Sequence, residues 1–580
     1  MSTMVHKNLT FGLITLLLGL MAGCSPTRTA PPLNAPLMMA TMPRSAGEND
    51  VNPPELLAKT EEEPLVVIIT PELMPTPTLV VPDSAESEPV ANSADAPLGR
   101  TVSIRHGVPA AWKMAIESLP DVSQVETGGA VELAAGEGDE LGKATYALVV
   151  PLYSFTEAAT WEEVEARWQS EAPQLVGSTD TLTTISQRLG QSAAGVIVVD
   201  NPDALVERVW AADDVWGIVP LAQLSAELRT LTIDGQSPLD RNADINRYPL
   251  AFSIGAIGDA EQIAQLQTEL PAVSLDWQPD KLTRVAMTGV TALVRATAYF
   301  MEQNGILWAG EEVREVLNSA DIAHLSNEVA FVEGCPYPNW IGGTSFCSDI
   351  RYFELVKDLG IDVMELTGNH VNDFGWTHLD SSITMYEEAG MKYFGGGRNS
   401  ADAQTAAIFE HNGNRIAFLG CNPVGPSYAW AGPASAGSRP CDADLKSQIR
   451  QLADEGAIVI VTLQYHEFYF YQPTYQQQVD FRSYVDAGAT IVSGSQGHHA
   501  QGFDLYGDGF IHYGLGNLFF DQMDALGTRQ AMIDEYIIYD GQLAGVEFTT
   551  GLIENYARPR LMSAEERRQL FQTLFNVSTR

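Results

Sequence analysis

Four polar turns carry the side chains of this sequence that could do chemistry. The apolar run Ile361-Asp-Val-Met-Glu-Leu366 leads to Thr367-Gly-Asn-His-Val-Asn-Asp-Phe-Gly375. The run Ala457-Ile-Val-Ile-Val-Thr-Leu463 leads to Gln464-Tyr-His-Glu467, and Ala489-Thr-Ile-Val-Ser493 leads to Gly494-Ser-Gln-Gly-His-His499. Ile511-His-Tyr-Gly-Leu-Gly-Asn517 is the fourth. Asn, His, Asp and Glu bind hard or borderline cations such as Mn²⁺, Fe or Zn²⁺, and no thiolate joins them here. Taken singly, each turn is ordinary turn chemistry, since Asn and Asp favour turns and Gly permits positive φ. Four such turns, each at the end of an apolar run, point to one site.

The elements that must position them are strands. In open α/β sheets, sites form just beyond the carboxyl ends of strands, where side chains from separate strands converge. Between the first two turns, residues 379–389 read as a helix closed by Gly390, and 391–394 as the next strand. The pattern predicts a layered α/β domain with crossover helices. Residues 98–280 read as a separate N-terminal α/β domain, loosely like a lobe of an extracytoplasmic solute-binding protein. Its strand-like runs are 144–152, 194–199 and 217–221, and helical spacing marks 161–168, 180–189 and 203–212. The stretch 180–190 superficially resembles the opening of a LysM repeat, but the rest of that module is missing and a plain amphipathic helix explains it.

Composition sets the compartment. The chain has 580 residues, 45% hydrophobic and 18% charged, enough apolar material for several cores. Lys and Arg number 33 against 74 Asp and Glu, a formal net charge of −41. A surface that acidic repels phosphate backbones, which excludes nucleic acid as a partner. Lys7 and the apolar run 9–20 read as a secretory signal peptide over 1–23, because the run is too short to span a bilayer. Met21-Ala-Gly-Cys24 resembles the bacterial lipobox, with Cys24 as the lipidated first residue of the mature chain. An ordinary signal peptide with an incidental Cys is the alternative. The lipobox reading places the protein in the bacterial cell envelope, extracytoplasmic and tied to the membrane through the lipid alone. Residues 24–97 are rich in Pro, Ala, Ser and Thr, cannot bury a core and read as a disordered tether. In an exported chain the remaining Cys335, Cys347, Cys421 and Cys441 suggest two bridges, with Cys335–Cys347 and Cys421–Cys441 the economical local pairs.

The first turn resembles the A-N-N-H-x-x-D-y-G motif of the CapA family of poly-γ-glutamate capsule-synthesis proteins, relatives of calcineurin-like metallophosphoesterases. Phe394-Gly-Gly-Gly397, Arg415-Ile-Ala-Phe-Leu-Gly420, Tyr484-Val-Asp-Ala-Gly-Ala-Thr-Ile-Val-Ser-Gly-Ser495 and Tyr513-Gly-Leu-Gly-Asn-Leu-Phe-Phe-Asp521 continue the match. Asp321-Ile-Ala-His-Leu-Ser-Asn-Glu328 is similar to the family's N-L-E segment. The resemblance covers about 283–535. It implies a metallophosphoesterase-like two-sheet sandwich flanked by helices over 281–550. Residues 551–580 read as a C-terminal tail, in which 563–574 has the pattern of a capped amphipathic helix. The resemblance also implies work in synthesis, export or anchoring of poly-γ-glutamate or a related envelope polymer, with capsule-synthesis membrane proteins as a partner class.

The departures shape the expected chemistry. Val290 stands where the family's G-D-v-m-l-g-R segment has its Asp ligand, Gln464 at the His of H-w-G-x-E-Y, and Gln496 at the first His of G-S-H-P-H. Glu328, Asn369, His370 and His498 remain at matching metal positions, with Asp373 beside them; His466, Glu467 and His499 lie close enough to substitute. Val cannot coordinate, and Gln is a weaker ligand than imidazole or carboxylate. The expectation is therefore one divalent metal (Mn, Fe or Zn) or none. Two functions stay open. One is a binding or scaffolding protein for an envelope polymer, peptide or carbohydrate, using the aromatic residues Trp340, Trp376, Tyr428, Trp430, Tyr465, Phe468, Tyr469 and Tyr471. The other is a hydrolase or transferase with His370 as general acid/base oriented by Asp373. A polyanionic ligand would need cationic help, for which Arg295, Arg351 and Arg398 are the candidates.

Overall fold

The computed structural model describes residues 99–270, 277–343 and 346–580. The signal peptide, Cys24 and the tether lie outside the described residues. Among the described residues no helix is long and apolar enough to cross a membrane.

The carboxyl-terminal half is a sandwich of two sheets. In the first, strands Lys392–Phe394, Val363–Glu365, Ile322–Asn327 and Leu282–Thr288 run parallel. Gln530–Tyr539, Gln542–Glu554 and Arg558–Leu561 extend it antiparallel. In the second, Asn414–Cys421, Ile458–Gln464, Ile491–Ser495 and Gly509–His512 run parallel, edged by Ala407–His411 and Phe503–Tyr506. Strand alternation builds the layers, because successive side chains point to opposite faces. Val285, Met287 and Ile322 of one sheet meet Phe418, Ile460, Ile491 and Phe510 of the other in one buried cluster. Their neighbours Ala286, Ala323 and Leu325 face outward under helices Arg295–Asn304 and Trp376–Glu388. Val459, Val461 and Val492 likewise pack under Ala443–Asp454 and Tyr475–Val485. The result is the helix–sheet–sheet–helix sandwich that the resemblance implied.

Residues 99–270 form their own nine-stranded mixed sheet among the described residues. Helices Trp161–Trp168, Thr179–Leu189 and Pro202–Trp210 fall within two residues of the expected runs, each started by a side-chain cap from Thr160, Ser178 or Asn201. The stretch that resembled a LysM opening is the amphipathic Thr179–Leu189 helix, burying Leu182 and Ile185. This sheet and the sandwich lie in one compact unit. They share a buried cluster of Ala147, Val149 and Val219 with Leu282, Ile537 and Ala544.

Two expectations change. The sandwich does not stop at 550: the hairpin of Gln542–Glu554 with Arg558–Leu561 carries the first sheet onward, leaving the tail as helix Ala564–Val577. The 511–517 run is not one strand ending in a turn. The chain leaves the second sheet after His512 and enters the first as Asn517–Phe519. Gly516 makes the crossing at φ 72°, with a position where a Cβ would lie 2.4 Å from the Gln530 carbonyl oxygen. Cys335 is bonded to Cys347 and Cys421 to Cys441, with Cα separations of 5.9 and 5.0 Å.

Candidate functional site

The site lies at the carboxyl ends of the parallel strands of both sheets. Strand Ile322–Asn327 delivers Glu328, and Val363–Glu365 leads into Asn369 and His370. Ile458–Gln464 ends on Gln464, and Ile491–Ser495 leads into Gln496 and His498. The Asn369–His370 turn can lie on Glu328 because Gly368 intervenes: a Cβ there would sit 2.6 Å from the Glu328 Cα. Gln496 and His498 hold left-handed backbones, at φ 73° and 49°. Non-glycine residues in that region cost about 1–3 kcal/mol each and persist where surrounding structure fixes them.

Gln464 is at the centre and fully buried. Its Nε2 donates to Glu328 Oε1 at 2.9 Å, to Asn369 Oδ1 at 3.2 Å, and to Gln496 Oε1. Its Oε1 lies 2.9 Å from the Ser495 hydroxyl, and the Glu328 carboxylate, which can only accept, fixes the orientation of the carboxamide. The network continues as Gln496 Nε2 donates to Glu467 Oε1 at 3.1 Å and the Tyr469 hydroxyl donates to Glu467 Oε2 at 2.9 Å. Gln522 Nε2 donates to Tyr469 Oη, and Asn517 Nδ2 donates to Gln522 Oε1, each at 3.2 Å. Asn517 Oδ1 accepts from His498 Nδ1 at 2.8 Å. One side-chain belt thus runs from Glu328 to His498.

His370 stands beside this belt. Its Nδ1 is 2.7 Å from Asp373 Oδ2. The Asp373 carboxylate is buried and also accepts from the Phe346 backbone N–H at 2.9 Å and the Tyr428 hydroxyl at 3.2 Å. Burial pulls the His370 pKa down, but the Asp373 hydrogen bond and the carboxylates of Glu328, Asp373 and Glu467 outweigh it and raise the pKa overall. Phe346 packs on His370 and neighbours Phe520, on which His498 stacks, with centroid distances of 4.3, 6.5 and 4.9 Å. The Tyr469 hydroxyl is pushed up to about 12 by burial and by Glu467.

Not every expected residue reaches the cleft. His499 is shut out: its Nδ1 bonds the Ala500 carbonyl, and a Cβ on Gly527 would lie 1.8 Å from its Nε2. Burial lowers its pKa. His466 is exposed and packs on Tyr465 and Phe468 rather than joining the belt. Val290 is buried in a short strand between Ile322–Asn327 and Asn517–Phe519. The three candidate arginines are already paired, Arg295 with Asp521, Arg351 with Glu302 and Asp349, and Arg398 with Asp380 and Glu387. Of the aromatic candidates, Trp340, Trp376, Tyr428 and Tyr469 are exposed, whereas Tyr465 is core.

Sequence reading missed a polar layer beneath the belt. Glu365 is buried, with its carboxylate 3.2 Å from His324 Nε2 and accepting from the Ser495 hydroxyl at 3.0 Å and from Thr367. Burial raises the Glu365 pKa, but the His324 and Thr367 contacts outweigh it and lower the pKa overall. A signal existed: Glu365 and His324 are ionisable residues inside otherwise apolar strands.

The donor set does not fit a pair of divalent metals. Two dications about 3.5–4 Å apart need several anionic or imidazole lone pairs between and around them. Here an amide nitrogen points its hydrogens at the Glu328 and Asn369 oxygens, and Val290 has no lone pair. Among the described residues no three His, Cys, Asp or Glu side chains converge as a metal cluster.

Residues 284–522 match the model of the family described as bacterial capsule synthesis protein PGA_cap. The capsule biosynthesis protein CapA of Bacillus anthracis is 30% identical over 224 residues, 38% of this chain and 54% of that protein. The PGA biosynthesis protein CapA of Bacillus subtilis (strain 168) is 27% identical over 185 residues, 32% of this chain and 48% of that protein. The chain thus spans about half the length of the curated relatives it matches. A solved 5'-nucleotidase precursor from Thermus thermophilus aligns remotely, at 13% identity and TM-score 0.30, over 50% of this chain and 58% of that one.

Proposed function

We propose that this chain, which carries a CapA-family domain in residues 284–522, serves the synthesis, export or anchoring of a capsular or cell-envelope polymer of the poly-γ-glutamate kind. Its cleft binds or positions the polymer and does not hydrolyse it through a metal pair. The observation that carries this reading is the Gln464 carboxamide, whose nitrogen donates into Glu328, Asn369 and Gln496. In this reading Cys24 bears the lipid anchor, the residues that follow tether the folded part outside the membrane, and capsule-synthesis membrane proteins are its partners.

A second reading, a hydrolase or transferase with a remodelled site, is favoured by one contact. His370 Nδ1 lies 2.7 Å from the buried Asp373 carboxylate, the geometry of an oriented general acid/base. In that reading His370→Ala abolishes turnover.

Metal content separates the two. The purified chain is loaded with Mn, Fe and Zn, desalted and analysed by elemental mass spectrometry, and poly-γ-glutamate binding is measured on the same sample. The proposal expects less than about a tenth of an equivalent of metal together with polymer binding. Stoichiometric metal that disappears in His370→Ala and His498→Ala would transfer the case to the enzyme reading. Absence of both metal and polymer binding would sink the polymer role.

A further inference from the structure

A cavity of about 470 Å³ opens where the N-terminal sheet meets the sandwich. Strands Leu175–Ser178 and Trp216–Pro220 run parallel, and their last residues, Ser178 and Pro220, line it. It therefore lies at the carboxyl ends of parallel strands, where α/β sheets bind ligands. The first turns of helices Ala110–Glu117 and Thr179–Leu189 form two more walls. Tyr539 and Asp540, at the end of strand Gln530–Tyr539, close the cavity from the sandwich side. It shares no residue with the belt or with the His370–Asp373 pair.

The walls decide what enters. Trp112, Ala144, Tyr146 and Leu221 are buried and make a largely apolar floor, whereas Ala110, Ala111, Met114 and Ala222 are exposed at the mouth. Ligand pockets run to about 300–1,000 Å³ and are lined in this way, by apolar and aromatic side chains with few polar groups. Three charged side chains line the cavity, and each is already paired. Asp180 accepts the Ala110 backbone N–H at 3.0 Å and lies 3.6 Å from Lys113 Nζ. Lys281 Nζ lies 3.0 Å from Asp540. An ion entering here would give up its water and meet no unpaired counter-charge. The rings of Trp112, Tyr146 and Tyr539 and the Met114 thioether instead favour an apolar, polarisable body.

We infer that this cavity is a second binding site, and that its ligand is a neutral small molecule built on an aromatic ring system. The site is independent of the polymer role proposed above, since a polyanion finds no unpaired cation in it. Its walls come from both the N-terminal sheet and the sandwich, so an occupant touches both and stabilises the folded chain by mass action.

Titration of the full chain with N-phenyl-1-naphthylamine, a neutral fluorophore, tests this. The expected result is a saturable rise in fluorescence that 1-naphthol reverses. 1-Naphthoate, which carries a carboxylate on the same rings, should displace the fluorophore about tenfold less well or worse. Ala222→Trp and Ala111→Phe each set a ring in the mouth from an exposed position. Each should weaken fluorophore binding by about tenfold or more and leave the unfolding temperature of the free chain in place. 1-Naphthol should raise that temperature in wild type and in neither variant. The absence of a saturable signal, a signal that both variants leave intact, or equal displacement by naphthol and naphthoate overturns the assignment.

Discussion

Gln464 Nε2 lies 2.9 Å from Glu328 Oε1, so a neutral amide satisfies a buried carboxylate at the carboxyl ends of the parallel strands. Glu328 is 1% exposed, and a carboxylate so placed must keep a partner. Gln464→Leu keeps the bulk and removes the donor. It is expected to cost about 1–3 kcal/mol, the usual penalty for orphaning a buried polar group. Gln464→Glu sets a second carboxylate against the first and should cost more at neutral pH. Denaturant midpoints check both; a Gln464→Leu protein as stable as wild type would mean that the amide does not hold Glu328.

His499 and Gly527 make the second case. A methyl group on Gly527 would enter the His499 ring, with a built Cβ 1.8 Å from Nε2. Gly527→Ala should therefore destabilise by about 1–3 kcal/mol, the range for overpacking a filled interior. His499→Ala opens the space, so the double variant should be more stable than the sum of the singles predicts, with a coupling of about 1 kcal/mol or more. Additive losses in thermal or denaturant unfolding would show that the two residues do not meet.

These two relationships mark what could be read from sequence. The strands were legible because apolar runs such as Ile458–Gln464 end in polar turns, and the caps of 161–168 and 564–577 stand in plain view at Thr160 and Ser563. The family resemblance singled out Val290, Gln464 and Gln496 as positions where ligands were expected, and the structure places Gln464 and Gln496 in the belt and Val290 in a buried strand. The belt joining Glu328 to His498 was not legible, since its links Tyr469, Asn517 and Gln522 come from segments that meet only when both sheets close. Nor was the exclusion of His499, which depends on a glycine 28 residues later that carries no motif. The strand break after His512 was hidden because 509–519 reads as one apolar stretch, and only the glycine at 516 marks the change of sheet.

The bridges should hold the rim of the cleft. Cys335–Cys347 closes a loop of separation 12 that carries Tyr337 and Trp340, and Cys421–Cys441 closes one of 20 that carries Tyr428. In the chain-entropy account a bridge over loops of this size contributes about 3 kcal/mol. Non-reducing peptide mapping should recover these two pairs, and reductant should lower the unfolding temperature. If Cys421→Ser with Cys441→Ser also weakens ligand binding while the fold persists, the Tyr428 loop needs its clamp; unchanged binding would confine the bridge to stability.

The C-terminal helix predicts an acid response of definite sign. Glu566 sits at the third position of Ala564–Val577, accepts the Ser563 backbone N–H at 2.9 Å and is gripped by Arg560 at 2.6 and 2.8 Å. The Arg560 hydrogen bonds, followed by those of Ser563, pull its pKa from 4.5 down to about 2. A carboxylate with a depressed folded pKa contributes stability that is present above its unfolded value and lost as pH falls through the folded one. The helix lays Leu570, Phe571 and Leu574 against Phe503 and Phe548, so loosening its first turn uncovers the sandwich core. Glu566→Gln should thus be less stable than wild type at pH 7, with a gap that narrows as pH drops from 4.5 towards 2. Denaturant midpoints across that range measure the gap. A gap that stays constant would mean that the ionised carboxylate has no part in holding the helix, and that packing alone does.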